Sequence, residues 1–177
     1  GGVEIECRPG RLEEMVAETR AALDAGAPAI YEASFFEDGV FVAVDILERL
    51  DPEESTEAFR LIEVKATNSV KDEHIPDATV QLHVLRKAGL DVREVALMHL
   101  NKSYRHPGPE DLFLLTDITE QAEAFQPEIP ALLDTCRATL VGDEPGPIIG
   151  EQCWKDCPLL NLCWPTEPDH IRNLNGV

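Results

Sequence analysis

The chain has 177 residues, of which 34 are acidic and 15 are basic, so its formal net charge is −19. This length suits one domain with its own core, and a composition of 44% hydrophobic and 28% charged residues excludes wholesale disorder. No apolar run approaches the roughly 18 residues of a membrane helix, and no signal peptide is visible. We therefore expect a cytoplasmic protein that makes no membrane contact.

The negative charge is concentrated at the two ends of the chain. Residues 1–60 and residues 107–177 each have a net charge of −10, whereas residues 61–106 have a net charge of +1. A protein that coats phosphate backbones needs clustered Lys and Arg, so the total charge argues against such binding and only the central third is neutral. The basic residues there that are candidates for DNA backbone contacts are Lys71, Arg86, Lys87, Lys102 and Arg105.

The first half of the chain shows one helix followed by three strands. Apolar residues at helical spacing predict a helix over residues 11–25, ended by Gly26. Strand-forming residues predict strands over 29–36 and 40–50, joined in a hairpin by a turn, and a third strand over 59–66.

The second half is predicted to begin with a helix over residues 71–88 and a fourth strand over 92–100. Pro76 is tolerable only in the first turn, so regular helix should begin near it. A short strand over 112–118 comes next, and Thr119 would cap a helix over 121–140 that is bent at Pro127 and Pro130. The order is α-β-β-β-α-β followed by peripheral pieces. Residues 143–177, a linker and a Cys-rich loop, should pack on the same domain as residues 1–142.

Five cysteines are present, and three of them lie within the last 25 residues. An odd number without an export signal makes a poor disulfide framework, so Cys153, Cys157 and Cys163 indicate metal ligation by zinc or an iron–sulfur cluster. The alternative is three free, partly buried thiols in a compact tail. Candidates for a fourth ligand are Cys7, Cys136, His170 or a residue upstream of Gly1, although Cys136, in mid-helix, is better explained as a small core residue.

Two carboxylates interrupt apolar strands. Asp45 lies within FVAVDIL and Glu63 within LIEVK, and a carboxylate in such a position costs several kcal/mol unless it is paired or bound to a cation. Glu63 and Lys65 point to the same face of a strand, and an ordinary Glu–Lys pair would explain these two alone. Together with Asp45 and with Glu32 on a neighbouring strand, however, they predict an oxygen-rich site for Mg²⁺ or Mn²⁺.

This constellation, in this order of elements, resembles the PD-(D/E)XK nuclease superfamily, and within it the RecB-like branch that carries an iron–sulfur module similar to CRISPR-associated exonucleases. The resemblance covers most of the chain. Its motifs are Ile30-Tyr31-Glu32-Ala33, Val44-Asp45-Ile46-Leu47, Leu61-Ile62-Glu63-Val64-Lys65, Ser69-Val70-Lys71-Asp72-Glu73-His74, Gln81 and Met98-His99-Leu100-Asn101. It implies an α/β fold with a restriction-endonuclease-like core over residues 1–142, in which helices flank a mixed sheet.

The resemblance also implies roles for individual residues. Asp45 and Glu63 would hold the divalent cation with help from the Val64 carbonyl, and Glu32 would complete the metal sphere. Lys65 would orient or activate the attacking water. Gln81 matches the helix glutamine of a Gln-x-x-x-Tyr motif in which Leu85 stands at the tyrosine position.

Iron–sulfur members of this branch use one Cys before the nuclease core and three after it. Cys153, Cys157 and Cys163 match the three, which implies a 4Fe-4S cluster in preference to zinc. The first Cys is expected in a segment upstream of this chain, with Cys7 as a substitute, so we expect a fragment of a larger protein in which the cluster is weakly held.

The function expected from the resemblance is metal-dependent hydrolysis of DNA, exonuclease-like, in repair or processing. A catalytically inactive module that binds DNA or scaffolds the larger protein is the alternative. A zinc-ribbon interaction protein is a third, which rests on the cysteines alone.

Overall fold

The computed structural model describes residues 1–50, 57–143, 146 and 157–163. Contacts divide the chain into two units, Gly1–Leu132 and Leu133–Val177. The first unit holds a mixed six-stranded sheet with helices, so the expectation of an α/β fold is confirmed.

The strands lie in the sheet in chain order. They are β1 (Val3–Glu4), β2 (Ala29–Glu37), β3 (Val40–Arg49), β4 (Ala58–Lys65), β5 (Asp91–Leu100) and β6 (Phe113–Asp117). Strand β1 is parallel to β2, and β4 is parallel to β5, whereas the other neighbours are antiparallel. The predicted strands are all present. Strand β1 was not predicted, because two residues are too few to show a strand pattern.

The helices are α1 (Leu12–Asp24), α2 (His74–Lys87), α3 (Thr119–Phe125), α4 (Ile129–Val141) and α5 (Leu160–Cys163). Helix α2 makes the crossover between the parallel strands β4 and β5, as such a connection requires. Over the described residues, no helix is long and apolar enough to cross a membrane.

The predicted helix over residues 121–140 is two helices, α3 and α4, joined by a 3₁₀ turn at Gln126–Glu128. The break falls at Pro127, which lacks the backbone N–H that a continuous helix needs. Thr119 is the first helical residue instead of the cap. Its backbone N–H donates to Asp117 Oδ1 at 2.8 Å, so Asp117 pairs one of the N–H groups that lack a partner within the helix.

One apolar face of α2 packs into the core, as its periodicity predicts. Ala78, Leu82 and Leu85 are fully buried together with Leu61 of β4. Gly89 ends the helix with φ 90°, a conformation that glycine adopts without steric cost. This packing fixes α2 against the sheet and sets the position of the polar side chains that the helix carries.

The interpretation of Cys136 as a core residue is wrong, because its side chain is exposed. Helical position alone suggested burial. Among the described residues, however, none after Ile129 is buried.

A bidentate ion pair links α2 to α3 and predicts a pH effect on stability. Arg86 donates to both carboxylate oxygens of Glu123, at 2.9 and 2.5 Å, and this pairing lowers the pKa of Glu123 below its ordinary value of 4.5. A lowered folded-state pKa contributes stability above the unfolded pKa, and that contribution is lost as pH falls through the folded pKa. We expect Glu123→Gln to lower the unfolding midpoint at pH 7 and to have a smaller effect at pH 3, measured by thermal melts. An equal loss at both pH values would contradict the assignment.

Candidate metal centre

On strands β2 and β3, the alternation of core-facing and outward-facing side chains is interrupted by one extra residue. The two interruptions lie opposite each other in the sheet. Core residues are spaced by three and then by two positions along β2, and the same slip occurs opposite on β3. These core residues are Ile30, Ala33 and Phe35 on β2, and Leu47, Val44 and Val42 on β3. The residues at the slip are Glu32 and Asp45.

Glu32 stands opposite Asp45 in the sheet, because the pairs Tyr31–Ile46 and Ala33–Val44 flank them. Glu32 has a φ of 56°, in the left-handed region that costs a non-glycine residue of order 1 kcal/mol. This local irregularity places two carboxylate-bearing residues side by side on neighbouring strands. Both side chains are half-buried.

Asp45 also fastens β3 to β4. Its Oδ2 accepts a hydrogen bond from the Val64 backbone N–H at 2.6 Å, beyond the backbone pair Ile46–Ile62. A side-chain oxygen thus replaces a backbone acceptor, and the Asp45 carboxylate is held next to the Glu63–Val64 peptide.

Glu63 is the most buried acid of the site, with 8% of its surface exposed. Its Oε1 accepts from Lys65 Nζ at 2.7 Å and its Oε2 accepts from Gln81 Nε2 at 2.6 Å. Burial raises the pKa of Glu63, and the nearby Asp45 charge adds to that rise, whereas the hydrogen bonds from Lys65 and Gln81 oppose it. Two of the predicted residues, Lys65 and Gln81, therefore converge on a third.

Lys65 bridges two carboxylates. Its ammonium contacts Glu63 and also Asp77, which lies in the first turn of α2. Partial burial disfavours the charged ammonium, but the hydrogen bonds to Asp77 and Glu63 outweigh that penalty and raise the pKa of Lys65. Asp77 was not among the predicted site residues. Its spacing of four residues from Gln81 was the available signal, because that spacing puts both on one helix face.

An unpaired oxygen of Gln81 bears on whether a cation fits beside Glu63. The residue is 7% exposed, and its Oε1 is buried with no hydrogen-bond partner within the described part of the chain. A buried amide oxygen without a donor is costly, and it suits a bound water or a cation. The oxygens around Glu63 are the hard ligands that Mg²⁺ and Mn²⁺ prefer.

The acidic side chains of the site do not form a complete set of metal ligands. Across the described residues, no three or more His, Cys, Asp or Glu side chains form a group that could hold a metal ion. Lys65, Gln81 and the Val64 amide instead donate to three of the four carboxylate oxygens of Glu63 and Asp45. The oxygen donors nevertheless fit a divalent cation, whose positive charge would weaken the contact of Lys65 with Glu63.

Most of the basic residues that were predicted to contact DNA have partners within the protein. Arg86 binds Glu123 and the Val92 carbonyl. The remaining contacts are Lys87 with Asp38 at 3.6 Å, Lys71 with Glu73 at 3.4 Å, and Arg105 with the carbonyls of Lys102 and Tyr104.

The cysteines are only partly described. Cys157 and Cys163 are free and half-buried, with Cys163 at the end of α5, and Cys7 is free and exposed. Cys153 lies outside the described residues. The predicted cluster therefore stays a prediction.

Comparisons with known proteins leave the family of the chain open. No family model matches it, and a search of curated proteins finds no match. Among solved structures, the chain is similar to one titled "Crystal structure of SSO0001", at 11% identity and a TM-score of 0.31. That alignment covers 74% of this chain and 68% of the other, and a TM-score this low carries no argument about fold or function.

Proposed function

We propose that the chain is a metal-dependent nuclease that hydrolyses DNA phosphodiester bonds, exonuclease-like and acting in repair or processing, built on a restriction-endonuclease-like core. The observation that carries this proposal is the buried Glu63 carboxylate, which Lys65 and Gln81 contact while Asp45 is anchored at the adjacent peptide. A buried carboxylate held by several polar partners is expensive, and such groups are concentrated at functional sites.

Asp45 and Glu63 would hold the divalent cation, with Glu32 and the Val64 carbonyl as further ligands. A bound Mg²⁺ or Mn²⁺ would lower the pKa of a water molecule and neutralise charge on the phosphate oxygens. Lys65 would place its positive charge where the attacked phosphate gains negative charge. Gln81 would keep Glu63 oriented through the bond between its Nε2 and Glu63 Oε2.

Binding of DNA by this chain should be weak and sensitive to salt. The net charge is −19, and the described bases of the central third are largely paired with acids or carbonyls. Further domains of a larger protein would supply the positive surface that long polyanions require.

The test compares cleavage of end-labelled DNA by the native chain and by Asp45→Asn/Glu63→Gln, with Mg²⁺ or Mn²⁺ present. Loss of the metal should remove several kcal/mol of transition-state stabilisation, so we expect cleavage at least about 100-fold slower. Glu48→Gln/Asp91→Asn is the matched control, because it also neutralises two acids, but in ion pairs with Arg60 and Arg93 that lie outside the site. Equal rates for the native chain and the site variant would overturn the proposal.

We further propose that Cys153, Cys157 and Cys163 hold a 4Fe-4S cluster, with the fourth ligand upstream of this chain or at Cys7. The free, half-buried thiols of Cys157 and Cys163 support ligation. Anaerobic absorbance in the iron–sulfur charge-transfer region, together with metal analysis, should show iron. Zinc in its place would favour an interaction protein.

A second candidate function is a catalytically inactive module that binds DNA or scaffolds a larger protein. Two observations favour it: the carboxylates are engaged by internal donors, and Leu85 is a fully buried core residue where the resembling motif has a tyrosine. Metal titration separates the two functions, because an inactive module should show no divalent binding that depends on Asp45 and Glu63.

A further inference from the structure

Lys65 is shared between two acids of different exposure. Glu63, whose side chain is 10% exposed, contacts the ammonium from the same strand, and Asp77, whose side chain is 50% exposed, contacts it from α2. Lys65 itself is 24% exposed, so its charge is partly withdrawn from water. The lysine thus has one inner partner and one outer partner.

The inner partner is also the proposed metal ligand. An ammonium and a divalent cation carry charge of the same sign, so they compete for Glu63. A cation bound to Glu63 therefore repels the Lys65 ammonium and weakens its contact with that carboxylate. A partly buried ammonium that loses its partner is costly unless a second acceptor is already in contact with it.

We propose that Asp77 is a positioning residue: it retains the Lys65 ammonium at the edge of the site when a divalent cation takes Glu63. This inference rests on the proposed function and deepens it. Because Asp77 already contacts Lys65, release from Glu63 leaves the lysine paired instead of unpaired. Asp77 thus favours metal binding without being a ligand, and it keeps the positive charge of Lys65 beside the cation.

The experiment measures Mn²⁺ affinity from the electron paramagnetic resonance signal of free Mn²⁺. Salt at about 0.15 M limits non-specific binding by the acidic surface. Asp77→Asn should weaken Asp45- and Glu63-dependent binding by about tenfold, because Lys65 then lacks a charged acceptor once the cation holds Glu63. Asp77→Glu should restore affinity. Asp91→Asn, which removes an exposed acid paired with Arg93, should leave affinity unchanged.

A double-mutant cycle with Lys65 separates positioning from a general loss of negative charge. Lys65→Met removes the competing ammonium and should tighten Mn²⁺ binding. In that background, Asp77→Asn should have no further effect, because no lysine is left to be retained. Circular dichroism and thermal melts of each variant verify that the chain is folded.

The outcomes are distinct. If Asp77→Asn weakens Mn²⁺ binding in the native background but not in the Lys65→Met background, the inference is supported. Equal weakening in both backgrounds, or no weakening in either, overturns it while leaving the proposed function intact. Absence of any Mn²⁺ binding that Asp45→Asn/Glu63→Gln abolishes overturns the proposed function and this inference with it.

Discussion

Lys65→Met is expected to slow metal-dependent DNA cleavage by about 100-fold or more while Mn²⁺ binding becomes tighter. Loss of a preorganised charge at the reacting group costs roughly 100- to 1000-fold in rate. The opposite effect on metal affinity follows because the ammonium contacts Glu63 at 2.7 Å and competes with the cation there. Single-turnover cleavage and Mn²⁺ titration on the same preparations measure both effects.

The matched control for this substitution is Arg93→Met. Arg93 is half-exposed, pairs with Asp91 and lies outside the site. Its replacement by Met removes one positive charge, as Lys65→Met does. We expect cleavage by this variant to stay close to that of the native chain. Parallel losses in both variants would mean that overall charge, not the position of Lys65, governs the rate.

Leu82→Ala is expected to destabilise the chain by about 2–5 kcal/mol, the usual cost of truncating a fully buried leucine. Leu82 lies in the core face of α2 with no exposed surface and directly follows Gln81. The cavity should loosen the helix that brings Gln81 and Asp77 to the sheet. Urea unfolding followed by circular dichroism measures the loss.

Leu12→Ala makes the same truncation in α1, where the leucine is 41% exposed. Its effect on the free energy of unfolding should be smaller, because less apolar area is buried at Leu12 than at Leu82. A similar cost at both positions would show that α2 is not held by this packing.

The order of elements and the central site residues could be read from the sequence because their signals are local. Alternating and helical periodicities mark β2 to β5 and α2. Asp45 and Glu63 stand out in the sequence because each is a carboxylate among apolar neighbours. The Glu63–Lys65 contact follows from strand alternation over two residues, and the structure has it.

The remaining features depend on how elements meet. The Asp77–Lys65 pair requires the crossing of α2 over β4, and the Glu32–Asp45 pairing requires the register of a hairpin whose alternation slips. Neither pairing can be read from the periodicity of a single element. Cys136 shows the reverse case, since its helical setting suggested burial and the structure exposes it.

By itself, the sequence determined that carboxylates interrupt the apolar strands of an α/β chain, and that a lysine lies beside one of them. Hydrophobic periodicity reports on one element at a time, so it identifies each strand and helix. The tertiary structure alone decided that Asp77 shares the lysine and that Gln81 contacts Glu63 directly, because those contacts join residues 12 and 18 positions apart. Sheet register and helix crossing bring such residues together, and both are products of packing the whole domain.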